Sequence, residues 1–231
     1  MAIALVTVLP VGALGIATDL AYGEPEGAGR VFLAVALSVI PAILIIPISS
    51  VATTIATMDL LGGRPPTMSR SFEPVGLRFW PMAAALLIVA VGVAAGFVLL
   101  VVPGVFLLVL WLFAGQAAVI EGRGPRAALV RSAELVKGGW VPVFVTFLVV
   151  QVAAGVIQFL LGLPVAVATD GLDRAAGADD PAAAEVLVNG AWGIVTTVVI
   201  QPFPAVALAL LYLDRRSRKE GAWPGPLRAP S

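Results

Sequence analysis

The chain has 231 residues, of which 60% are hydrophobic and 12% charged, with fourteen Lys and Arg balanced by fourteen Asp and Glu. The charged share is about half that of soluble domains, and a soluble fold of this length could not hide so much apolar side chain, so a membrane protein is expected. The lack of cysteine excludes disulfides, thiolate metal sites and cysteine nucleophiles, and the lack of histidine removes the commonest general base and metal ligand. Basic residues flank apolar segments instead of interleaving with aromatics, so no nucleic-acid partner is expected.

Residues 1–18 are uncharged and read as a first membrane span. A cleaved signal peptide is the alternative, but it would want Lys or Arg ahead of its apolar core, and none occurs before Arg30. Residues 19–30 form a polar loop punctuated by Gly and Pro. The second span covers 31–58, with kinks expected at Pro41 and Pro47. Residues 59–78 are polar and net basic.

From Phe79 to Ile120 run 42 residues without an ionisable side chain. At about 1.5 Å per residue, against a hydrocarbon core roughly 30 Å thick, this is two crossings. The spacing predicts a third span over 79–102 and a fourth over 104–120, bent at Pro103-Gly104, with the Trp80 indole in the headgroup layer. Gly92 and Gly96, four apart in the third span, predict close helix packing.

Residues 121–139 predict a short helix opened by Pro125. At 100° per residue, Ala128, Leu129, Ser132, Ala133, Leu135 and Val136 share one side, while Arg126, Arg131, Glu134 and Lys137 share the other. Val130 is the exception. This is the pattern of a helix lying in the interface plane, with a solvated linker as the alternative. The fifth span, 140–163, enters through Trp140 and carries Gln151, Gly155, Gln158 and Gly162 on one face. With Gln116 and Gln201, these are the chain's four glutamines, and all lie inside spans. Such a face either lines a polar cavity or joins helices, the small residues allowing close approach and the side-chain amides hydrogen-bonding across. The acidic stretch 170–185 is expected to be an outer loop, since its spacing matches no calcium-binding loop. The sixth span covers 187–213. Residues 1–213 thus form one transmembrane helical domain, followed by a disordered basic tail, 214–231.

The segments 59–78, 121–137 and 214–231 hold twelve of the fourteen Lys and Arg residues. Six spans with both termini cytoplasmic put all three on the cytoplasmic side. The expected interfacial anchors are Trp80, Trp140, Arg131, Lys137, Arg215 and Arg216. A repeat at an offset of 61 residues aligns Arg70-Ser71-Phe72-Glu73-Pro74-Val75 with Arg131-Ser132-Ala133-Glu134-Leu135-Val136. It predicts three units of cytoplasmic helix, span, outer connection and span; chance likeness of juxtamembrane segments is the alternative. The first unit lacks its cytoplasmic helix, which implies either a translation start upstream of Met1 or a chain naturally shorter than its relatives.

Phe106 to Lys137 with Gly139-Trp140, and Leu211-Tyr212-Leu213-Asp214-Arg215-Arg216 followed by Lys219-Glu220-Gly221, are similar to motifs of a bacterial family. That family is related to the membrane domain of glycerophosphoryl diester phosphodiesterases. The resemblance implies a stand-alone polytopic protein of the bacterial cytoplasmic membrane. The family's fused catalytic barrel has no counterpart here, and its chemistry uses histidine and metal-bound carboxylates. Catalysis, cofactor and metal are therefore not expected. No Asp, Glu, Lys or Arg lies deep in a span, which argues against proton coupling and intramembrane aspartyl proteolysis.

The expected fold is all-α, with about six transmembrane helices in three hairpin repeats and short cytoplasmic interfacial helices. The expected role is that of a non-catalytic scaffold or accessory in envelope or lipid metabolism. A permease or lipid-handling transporter, with a cavity on the Gln151–Gly162 face, is the alternative. Partners would be the lipid bilayer and either other membrane proteins or further copies of the chain. If the glutamine face joins helices, Gln158→Leu leaves insertion intact and lowers the melting temperature in detergent; unchanged detergent stability contradicts the joining role.

Overall fold

The computed structural model describes residues 46–176 and 183–221, and every regular element among them is an α-helix. The first span, the loop 19–30, the opening of the second span, the centre of the acidic stretch and the end of the tail lie outside the described residues. The described chain falls into two compact units: one holds residues 47–150 and 204–221, the other 151–176 and 183–203 together with Ile46.

In the first unit, α1 is described from Ile46 to Leu61. It runs three residues beyond the expected end of the second span at Met58. What stops it is Gly62-Gly63. The Arg64 N–H bonds the Asp59 carbonyl at 2.8 Å and the Gly63 N–H bonds the Leu60 carbonyl at 3.0 Å. Gly63 sits at φ +71°, where a side chain would be strained. Next, α2 (Met68–Leu77) is capped by the Thr67 hydroxyl, which accepts from the Arg70 N–H.

The 42-residue neutral run is a helical hairpin: α3 (Phe79–Leu99), then α4 (Val101–Leu110) and α5 (Ala114–Ile120). The turn is Leu100 alone, in extended conformation, not Pro103-Gly104. The reason is local. A proline lacks only an N–H that the first helical turn leaves unbonded anyway, so the chain reverses before Pro103 and the proline sits inside α4. The glycines serve the approach: a Cβ on Gly96 would stand 2.9 Å from the Gly104 Cα, and one on Gly92 would strike the Trp111 ring. The expected close packing is present, and its partner is the returning arm of the same hairpin.

That arm breaks at residues 111–113. The Phe113 N–H turns away from the helix and donates to Ser132 Oγ at 3.1 Å, while the Ser132 hydroxyl donates to the Leu110 carbonyl at 2.8 Å. One serine thus serves both backbone groups at the gap. It comes from α6 (Pro125–Val136), which packs on α3, α4 and α5. Ala128, Leu129, Ser132, Leu135 and Val136 of α6 are buried, so the side expected to be apolar is covered by the hairpin.

Two core clusters follow. One joins Val51 and Ile55 of α1 with Val75, Met82, Ala117, Ala118 and Ala128. The other joins Val109, Phe113, Leu135, Val136 and Val143 with Tyr212 and Leu213.

The fifth span is part of α7, Trp140–Ala176, a 37-residue helix that carries on through the first seven residues of the expected acidic loop. Its Ala- and Leu-containing end favours helix. Pro164 lies inside it and withholds an N–H from the preceding turn. In the second unit the adjacent Leu161 carbonyl accepts the Trp192 indole N–H at 2.8 Å. The sixth span is divided: α8 (Ala183–Ile200) and α9 (Pro202–Glu220) meet at Gln201, with Pro202 opening the second helix.

Among the described residues, four helical stretches are long and apolar enough to cross a membrane: Phe79–Leu99, Val101–Ile120, Trp140–Val165 and Leu187–Glu220. Leu87, Val91 and Val98 of α3, and Val149, Val152 and Phe159 of α7, are outward-facing. Apolar surface of this kind belongs against lipid, and the protein is a helical membrane protein whose regular elements, among the described residues, are all helices. Ser132→Ala should lower stability in detergent by about 1–3 kcal/mol, because it leaves the Phe113 N–H and the Leu110 carbonyl unbonded. Denaturant titration monitored by helicity checks this.

Candidate functional site

The densest polar constellation is built on Glu121, the residue that closes α5. Its side chain is 7% exposed. Arg131, on the polar side of α6, brings its Nε to 2.8 Å from one carboxylate oxygen and 3.1 Å from the other. Arg123 adds an Nε at 2.8 Å. The Tyr212 hydroxyl, reaching in from α9, donates to Oε1 at 3.0 Å, and its ring lies tilted against Phe113 with centroids 5.8 Å apart. Arg131, 13% exposed, also pairs with Glu220, which in turn holds Arg216 at 3.0 Å. Glu134 stands farther off, 3.8 Å from Arg131.

The electrostatics follow from this geometry. Burial pushes the Glu121 carboxyl up, but hydrogen bonds from Arg123 and Arg131, with the Arg131 charge behind them, outweigh it and hold the group below its ordinary 4.5. Burial likewise works against the charge on Arg131, and Glu121 more than restores it. Each charge in the hub has a partner, so the cluster has no unpaired base or nucleophile. What it does is join the end of α5, the middle of α6 and the end of α9.

The residues singled out by sequence are distributed as follows. Gln151, Gly155 and Gln158 are exposed on α7 and Gly162 is half-buried. Gln158 Nε2 donates to Thr197 Oγ1 of α8 at 3.3 Å. A comparable amide contact links Gln116 Nε2 to Ser50 Oγ of α1 at 3.2 Å. Trp80 is 79% exposed beside Phe79. Trp140 is stacked between Phe106 and Phe144. Lys137 is exposed, Arg215 is half-buried against Gly139, and Arg216 is tied to Glu220. Arg131 is the centre of the hub.

Sequence reasoning missed Glu121, Tyr212 and Glu220 as a set. Glu121 is the acid that follows the neutral run, directly after Ile120. Its partners, however, lie 10 and 91 residues away, and no periodicity connects them. Among the described residues no group of three or more Asp and Glu could hold a metal ion.

Residues 28–214 match the family described as a domain of unknown function, DUF7847. No curated protein and no solved structure matches the chain.

The Glu121 hub makes an acid-sensitive contribution to stability. Its pKa is lowered in the fold, so the stabilisation is complete above the unfolded value near 4.5 and is lost as the pH falls through the lower native value. Glu121→Gln should cost about 2 kcal/mol at neutral pH, and the gap between variant and wild type should close as acid is added. Melting in detergent from about pH 7 to about pH 3 measures both effects.

Proposed function

We propose, for a chain that belongs to the DUF7847 family, a non-catalytic role in the membrane, as a scaffold or accessory to envelope or lipid metabolism. The observation that carries this reading is where the polar side chains of the apolar helices spend their hydrogen bonds. Gln116 bonds Ser50, Gln158 bonds Thr197, Trp192 bonds the Leu161 carbonyl and Ser132 bonds the break at 110–113. These groups hold helices together, which is what a scaffold asks of its polar side chains.

The finer architecture belongs to the same proposal: six spans in the bacterial cytoplasmic membrane, both termini cytoplasmic, in three hairpin repeats. The repeat is supported by α2 and α6. Each is a short helix just ahead of a long apolar one, and the aligned pairs Ser71 and Ser132, and Val75 and Val136, are all buried. The motif likeness to membrane domains of glycerophosphoryl diester phosphodiesterases fits this role, without their chemistry.

A permease or lipid-handling transporter is the second reading, favoured by Gln151 and Gly155, which are exposed on one face of α7. Two measurements separate the readings. Crosslinking in intact membranes followed by purification should recover one membrane partner in stoichiometric amount. Proteoliposomes should move labelled lipid no faster than protein-free vesicles. Translocation that Gln151→Leu abolishes would replace the scaffold with the transporter.

A further inference from the structure

Three buried polar atoms lack a hydrogen-bond partner among the described residues: Trp140 Nε1, Arg215 Nε and Asp59 Oδ2. Two are donors, and they are held at neighbouring places. Gly139 lies so close to the Arg215 guanidinium that a Cβ there would collide with it. Trp140 is the next residue, its indole clamped between Phe106 at 5.8 Å and Phe144 at 5.1 Å. A buried N–H left without an acceptor is costly, and two at adjacent positions point to an acceptor that the chain does not supply. The other arginines nearby are served: Arg216 by Glu220, Arg218 by Asp214 and Arg131 by Glu121. Among the described residues Arg215 has no carboxylate partner.

Two further features agree. Trp140 opens α7, whose first turn contains no acidic residue, so the positive end of that helix has no carboxylate of its own. And both side chains stand where apolar sequence stops. Trp140 begins the apolar stretch Trp140–Val165, and Arg215 stands two residues past Leu213, the last apolar residue of α9. That is the level of lipid headgroups.

We propose that Gly139, Trp140 and Arg215 form a site for a phosphate-type anion, filled in the membrane by the phosphodiester of a lipid headgroup. Arg215 supplies charge and an N–H, Trp140 supplies an indole N–H, and Gly139, lacking a side chain, admits the Arg215 guanidinium to the place a Cβ would take. The competing acceptor is Asp59, which follows Met58 in the core cluster shared with Leu213. The site does not depend on whether the protein is a scaffold or a permease.

The test uses the full chain in a neutral sugar detergent. It is titrated with short-chain phosphatidylglycerol, with inorganic phosphate, and with a diacylglycerol that lacks a headgroup, using calorimetry and melting temperature. Phosphatidylglycerol should bind and raise the melting temperature, and diacylglycerol should not. Arg215→Gln should weaken binding about tenfold or more, and Trp140→Phe, which keeps the ring and removes the N–H, about threefold to tenfold. Arg218→Gln should bind as wild type. Should Arg215→Gln fail to fold, Trp140→Phe and Arg215→Lys carry the comparison. Inorganic phosphate binding as well as the lipid, with the same dependence on Arg215, would keep the anion site and overturn its lipid occupant. The site itself is overturned if neither probe binds in an Arg215-dependent way. It is equally overturned if Asp59→Asn and Arg215→Gln lower the melting temperature equally and not additively, since Asp59 would then be the partner.

Discussion

A backbone amide or carbonyl inside hydrocarbon has no water to turn to, and each irregularity in these apolar helices has to be resolved by the protein itself. The break between α4 and α5 is the clearest case. Without the Ser132 hydroxyl, Phe113 and Leu110 would present an unbonded donor and acceptor within the core. In the other unit the Trp192 indole bonds the Leu161 carbonyl, the neighbour of the Leu160 carbonyl that Pro164 leaves without its helical N–H. Helix–helix assembly and helix irregularity are therefore one problem here. The residue that mends a gap in one helix comes from another, and packing follows from the mending.

Charge is handled separately, at the ends. The neutral interior delivers its few ionisable groups to the basic segments, where Glu121 gathers Arg123 and Arg131, and Arg131 passes on to Glu220. A carboxylate 7% exposed with one cation would be a poor bargain in free energy. With two guanidinium donors and a tyrosine hydroxyl, its acceptor positions are filled. The hub links α5, α6 and α9, elements that no stretch of sequence brings together.

How much of this was readable in advance depended on range. Helices and solvent were legible, because a neutral run of 42 residues admits few other readings and because the side of α6 bearing Ala128, Ser132 and Leu135 is set by a local period. Boundaries were less legible where proline and glycine compete. Pro103 looked like the turn, yet it is tolerated inside a first helical turn, and Leu100 bends instead. The length of α7 was underestimated because the acidic residues read as loop, whereas their Ala and Leu neighbours carry the helix on. The hub was invisible because it rests on partners up to 91 residues apart. Ser132 was sorted with the apolar side correctly and for an incomplete reason: it is buried to bond, not to avoid water.

The hairpin's single-residue reversal has one further consequence. Phe97, Val98, Leu99, Leu100, Val101 and Val102 all face outward, and none of their side chains carries a hydrogen-bonding group. A connection between two crossings ordinarily carries polar side chains that hold it in the aqueous phase; this apex carries none. The hairpin's apex is thus apolar in every side chain, and those side chains offer no hydrophilic handle to a protease, a ligand or a partner.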